Sequence, residues 1–243
     1  MLIILLLLII KWYNIFSTNE NGVKIMLFKS NQTILFTGDS VTDAGRKRPI
    51  GEGLWEGVGN GYVRQIDTFL NVAYPENLYH IVNIGISGNT SRDLLARWQT
   101  DVLDIKPDYV SVCIGFNDVW RHFDEPASLY KHVSMDEYGQ NLQKMIELTK
   151  DNVQGMILMT PYYMEPNKED LMRKMMDEYG NIVKQLAKQN NLLCIDLQKE
   201  FDDYLKYRHS AYIMWDRIHP GWIGSMIIAR AFLRAVGVDR QLI

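Results

Sequence analysis

Five short apolar runs, each closed by glycine, proline or aspartate and separated by stretches with helical spacing, constrain this chain more than any other feature. They are Thr33–Thr37 (TILFT), His80–Ile84 (HIVNI), Tyr109–Ile114 (YVSVCI), Gly155–Met159 (GMILM) and Leu192–Asp196 (LLCID). Their apolar residues do not keep to every second position, so each run predicts a strand buried on both faces, as in a parallel sheet. Between them, apolar residues recur at helical spacing over Tyr62–Val72, Ser91–Ile105, Met135–Lys150 and Glu169–Gln189, and Trp222–Val236 ends the pattern as a helix. Strand and helix alternating in this way predicts an α/β fold, a three-layer α/β/α sandwich around a five-stranded, mainly parallel sheet. The common strand order 2-1-3-4-5 would separate the two cysteines, Cys113 and Cys194, by two strand spacings. That is about 9.6 Å, beyond the ~7 Å limit for a disulfide, so both should be free thiols. Two cysteines are also too few for a Cys-rich zinc site.

A length of 243 residues fits one domain. A net charge of −3 argues against electrostatic capture of nucleic acid or of an anionic membrane. The start stands apart from the rest. Leu2–Ile10 is unbroken aliphatic but far short of the ~20 residues a membrane span needs. No Lys or Arg precedes it, and Lys11-Trp12-Tyr13 occupies the place of a small-residue cleavage site. Residues 1–25 therefore read as an appendage and 26–243 as the folded domain. The expected location is the cytoplasm, with secretion through an atypical signal as the alternative.

In sheets of this kind ligands bind beyond the carboxyl ends of the strands, so the residues just after each strand carry the information. They are Gly38-Asp39-Ser40-Val41-Thr42-Asp43, Gly85-Ile86-Ser87-Gly88-Asn89-Thr90 and Gly115-Phe116-Asn117-Asp118, with Asp216-Arg217-Ile218-His219-Pro220 before the last helix. A serine hydroxyl needs a base to take its proton, and an imidazole can serve when a carboxylate holds its other nitrogen. Ser40, His219 and Asp216 supply that set, and a spacing of three lets Asp216 and His219 bond within one turn. An oxyanion needs fixed donors. The Ser40 and Gly88 backbone N–H groups and the Asn117 amide would provide them. Singly, each of these is also a turn, a cap or a backbone-geometry residue; their joint order is specific.

That constellation resembles the SGNH/GDSL hydrolases, whose four blocks carry Ser, Gly, Asn and His and here read GDSVTD, GISGNTS, GFND and DRIHP. Val41 stands where the GDSL name has Leu, which leaves the chemistry untouched. The stretches DAGRKRPIGEG, GNGYV, GISGNTSRDLLARW, GFNDVWR, MTPYYMEPN and WDRIHP look like the intracellular carbohydrate acetylesterases, serine acetylxylan esterases among them. The resemblance implies the flavodoxin-like SGNH hydrolase fold and hydrolysis of carbohydrate O-acetyl esters, of xylo-oligosaccharide type, through an acetyl-enzyme. It also implies a homo-oligomer and no cofactor.

Asp39 reads as an anchor of the nucleophile turn rather than a second acid. Arg46 and Arg48 either face substrate or are solvated, Arg48 rather the latter. Trp55, Trp120 and Trp215 are candidate sugar platforms, with core packing the competing use of each. Met172, Met175 and Met176 read as a core stripe. His80, His122, His132 and His209 lack metal-ligand spacing, so no metal is expected. A lipid-directed esterase on the same fold, a metallophosphoesterase and a non-catalytic carbohydrate binder are the rival readings. The first lacks an amphipathic lid, the second has only His219 placed as a ligand, and the third has no use for a nucleophile and its base.

Overall fold

The apolar runs find cover on both faces in one parallel sheet in the computed structural model, which describes residues 25–239. The strands are β1 (Thr33–Gly38), β2 (His80–Asn83), β3 (Tyr109–Cys113), β4 (Gly155–Met159) and β5 (Leu193–Ile195), in the order β2-β1-β3-β4-β5. All four pairings are parallel, and nearly every strand residue is buried. The helices are α1 (Ser40–Asp43), α2 (Tyr62–Ala73), α3 (Ser91–Ala96), α4 (Phe116–Asp124), α5 (Met135–Thr149), α6 (Leu171–Gln189), α7 (Leu197–Leu205) and α8 (Trp222–Ala235). Helices α2 and α7 pack on α8, while α3 and α6 pack on α5 and α4 packs on α6, the two helical layers of the sandwich.

Register brings the strand ends level. Gly38 pairs with Cys113, Cys113 with Met159 and Met159 with Ile195, so the segments after these strands leave from one edge. Gly38 makes the β1 exit possible. Its φ is +155°, and a Cβ there would lie 2.0 Å from the Cys113 carbonyl oxygen, so only glycine fits.

Strand order and the free cysteines agree with the sequence reading, as does the methionine stripe, with Met176 and Met172 buried and Met175 packed against the core. The predicted Ser91–Ile105 helix does not run through. It stops at Ala96 and resumes as a π-helical turn over Gln99–Leu103. There Arg97 reaches back to the Gly38 and Ile84 carbonyls while the neighbouring Trp98 is buried and donates to Thr149. The two neighbouring side chains thus bond to different elements, Arg97 to the sheet end and Trp98 to α5, at the point where the helix rewinds. Helices α4 and α7 were not anticipated. Asp196, expected to end a strand, instead caps α7 by accepting from the Lys199 N–H at 3.1 Å. The appendage lies outside the described residues apart from Ile25. No helix among the described residues is long and apolar enough to cross a membrane.

Candidate active site

Beyond Gly38 the chain turns straight into α1. Asp39 is its N-cap, its Oδ1 accepting from the Val41 N–H at 3.1 Å, and Ser40 is the first helical residue. Asp39 is thus the anchor expected of it. It is fully buried and its Oδ2 has no hydrogen-bond partner among the described residues. Burial, with a smaller push from Asp118, raises its pKa to about 7.

The fourth block supplies the candidate base. The Ser40 hydroxyl lies 2.7 Å from His219 Nε2, and His219 Nδ1 lies 2.6 Å from Asp216 Oδ2. A carboxylate on Nδ1 fixes the proton there and leaves Nε2 as the acceptor for the serine O–H. Asp216 Oδ1 accepts from the Ile218 and His219 N–H groups at 3.0 and 2.9 Å, which curls the turn around the carboxylate. Two bonds hold the turn to the segment after β4: the Tyr162 hydroxyl donates to the Ile218 carbonyl (2.7 Å) and the Met164 N–H to that of Arg217 (3.0 Å).

The candidate oxyanion donors converge on the same edge. The Ser40 and Gly88 N–H groups donate to no described residue. Gly88 has φ +84° and open space where a Cβ would go, so backbone conformation, not crowding, calls for glycine. Asn117 is buried and gives one Nδ2 hydrogen to the Asn89 carbonyl at 2.9 Å. The loops are tied together. Asp118 accepts from the Ser91 N–H (3.0 Å) and hydroxyl (2.5 Å), and Asp43 Oδ2 from the Ser87 N–H (2.9 Å) and hydroxyl (3.0 Å).

Other expectations are corrected. Arg46 is neither solvated nor turned to substrate: it is 5% exposed and donates to the Gly85, Lys47 and Pro49 carbonyls. Arg48 is paired with Asp43 at 2.6 Å rather than merely solvated. Core packing does not account for Trp55 and Trp215, which are 79% and 88% exposed. Trp120 is partly buried, its ring centroid 5.7 Å from that of His219. Arg97 escaped notice as a member of the site, whereas Asn89 and Asp118 lie in the blocks singled out above but had no role assigned to them. Arg97 donates to Asn89 Oδ1 (2.7 Å) and the Gly38 carbonyl (3.0 Å), so one side chain joins the Gly88 loop to the nucleophile strand. Its place six residues into a helical stretch gave no sign that the helix would break there.

The hydrogen bond that His219 Nδ1–H donates to Asp216 holds the His219 pKa above the ordinary imidazole value, with partial burial opposing. Protonated His219 cannot accept the serine proton, so activity should fall on the acid side with a midpoint above about 6.5. A kcat/KM profile on 4-nitrophenyl acetate checks this; a midpoint below about 6.5 would contradict it. The same pairing stabilises the fold at low pH, and that contribution is lost as pH rises through the folded-state pKa. Activity and this part of the stability therefore change in opposite directions.

Comparison with known proteins gives three results. The GDSL-like lipase/acylhydrolase family model matches residues 36–226. An acetylxylan esterase of Geobacillus stearothermophilus is 50% identical over 214 residues, 88% of this chain and 98% of the relative. Its crystal structure superposes with a TM-score of 0.87 over the same shares, as do catalytic mutants in which a serine, a histidine or an aspartate is replaced by alanine. An α/β hydrolase enzyme from the metagenome of Lake Arreo, Spain, is 47% identical with a TM-score of 0.86, over 88% of this chain and 99% of that one.

Proposed function

The chain belongs to the GDSL-like lipase/acylhydrolase family, and we propose that it removes O-acetyl groups from carbohydrates of the xylo-oligosaccharide type, with Ser40 as nucleophile. The observation that carries the reading is the unbroken line Ser40–His219–Asp216 at 2.7 and 2.6 Å. Ser40 Oγ attacks the acetyl carbonyl carbon as its proton passes to His219 Nε2, and Asp216 steadies the imidazolium. The carbonyl oxygen becomes an anion facing the Ser40 and Gly88 N–H groups and the free Nδ2 hydrogen of Asn117. Collapse breaks the bond to the sugar oxygen, which takes the proton from His219, and leaves acetyl-Ser40. Water, deprotonated by His219, then attacks the acetyl carbon; the bond to Ser40 Oγ breaks as that oxygen takes the proton back from His219, and acetate leaves.

The acetyl-carbohydrate preference is supported by the 50% identity to an acetylxylan esterase across nearly its whole length. Trp120 beside the base and the exposed Trp215 next to Asp216 are suited to stacking on sugar rings, and Trp55 is the more remote candidate. A homo-oligomer belongs to the same proposal, supported by the large exposed side chains of Trp222, Ile223 and Met226 on α8. So does action in the cytoplasm, in keeping with two free cysteines.

Acyl-chain length tests the substrate class. In a pocket closed around a methyl group, longer chains force side chains apart at roughly 1–3 kcal/mol, about 5–150-fold in kcat/KM. A series of nitrophenyl esters from acetate to octanoate should therefore fall, and acetylated xylo-oligosaccharides should release acetate. A steady rise with chain length and no acetate from the sugars would replace this reading with a lipid-directed esterase.

A further inference from the structure

The amide of Asn117 is held from two sides, and only one of its holders is explained by the loops already described. Its Nδ2 donates to the Asn89 carbonyl at 2.9 Å, while its Oδ1 accepts from Arg121 Nη2 at 2.8 Å. Asn117 and Arg121 stand one turn apart on α4, where i and i+4 side chains meet. The arginine is itself fixed. Its Nη1 pairs with Asp124 and lies 3.7 Å from Glu125, and its guanidinium carbon is 5.7 Å from the centre of the Trp120 ring. The side chain is only 21% exposed.

An amide can be turned by 180° with little change in shape, which would exchange its donor and its acceptor. A carbonyl on one side and a guanidinium on the other permit one orientation only, with nitrogen toward Asn89 and oxygen toward Arg121. A cation on the oxygen also draws electron density from the amide and makes its remaining N–H a stronger donor. We propose that Arg121 is a positioning residue for the oxyanion hole: it sets the orientation and donor strength of Asn117 without touching the substrate. This rests on the reading of Asn117 as an oxyanion donor. The competing account is that Arg121 serves α4 alone, through Asp124 and Glu125 near its end.

A double-mutant cycle on the full chain separates the two, with kcat and KM measured on 4-nitrophenyl acetate for wild type, Arg121→Met, Asn117→Ala and the double variant. Asn117→Ala should lower kcat by roughly 10²–10³. Arg121→Met should lower it by about 10- to 100-fold in the wild-type background, the range for loss of a charged hydrogen bond, with KM little changed. In the Asn117→Ala background it should change kcat by no more than about 2-fold. Arg121→Lys, which keeps a cationic donor, should retain more activity than Arg121→Met. Equal losses in both backgrounds, a loss carried by KM, or no loss at all would overturn the proposal. A kcat left intact by Asn117→Ala would overturn the oxyanion reading itself, and the proposal with it. Should Arg121→Met not fold, Arg121→Lys takes its place in the same cycle and is judged by the same comparison between backgrounds.

Discussion

Ser40→Ala is expected to reduce kcat by about 10⁶ while leaving the fold intact, the scale on which loss of a triad nucleophile acts. Among the described residues the hydroxyl's only hydrogen bond is to His219. The turn that carries it is set by Gly38 and by the Asp39 cap, neither of which the substitution touches. His219→Ala should cost about as much, and the double variant little more than either single one, because the two act in one proton transfer. Turnover of acetylated substrate together with a melting curve decides the matter. Retention of a tenth of wild-type activity by Ser40→Ala, with an unchanged melting temperature, would remove the serine from the mechanism.

Asp216→Asn is expected to lower kcat by about 10⁴ with little change in KM. The asparagine amide would present a donor or a weaker acceptor to Nδ1, so the imidazole loses the partner that keeps its proton on Nδ1 and its Nε2 free. The carboxylate also accepts from the Ile218 and His219 N–H groups. An asparagine keeps one such oxygen, so the turn should survive while the tautomer does not. Since Asp216 is the main cause of the raised His219 pKa, the acid limb of any residual activity should move to lower pH. Steady-state kinetics over pH check both parts, and a variant with near wild-type kcat would show that His219 works without a carboxylate.

The strands and the four site loops were legible because each rests on short-range signals. TILFT and YVSVCI are apolar without period-2 alternation, and both meet glycine at the point where the chain leaves the sheet. The Asp216–His219 bond spans three residues and could be anticipated from spacing alone. What escaped notice depends on contacts distant in sequence. Arg97 bonds to Gly38 across 59 positions, and nothing local marks it as part of the site; Asp118 stands in a block the sequence singles out, but its bond to Ser91 spans 27 positions and its role could not be read there. Arg46 reads as a surface cation in a polar stretch, yet it is buried because carbonyls from separate segments, Gly85 among them, surround its guanidinium. The helix break falls at Arg97 and Trp98, whose bonds go to residues 59 and 51 positions away, beyond the reach of a local helix pattern.

Unequal spacing within the proposed triad has a further consequence. Acid and base lie three residues apart on one turn, whereas nucleophile and base are separated by 179 positions. During synthesis from the amino end, Ser40 leaves the ribosome long before His219, and every helix but α8 precedes the base in the chain. A partly made chain, even one with all five strands paired, therefore carries a serine with no group to take its proton. On the proposed mechanism, esterase activity can begin only after the Asp216–His219 turn has emerged and docked beneath Tyr162 and Met164, so the reactive centre is assembled by a segment that follows all five strands of the sheet.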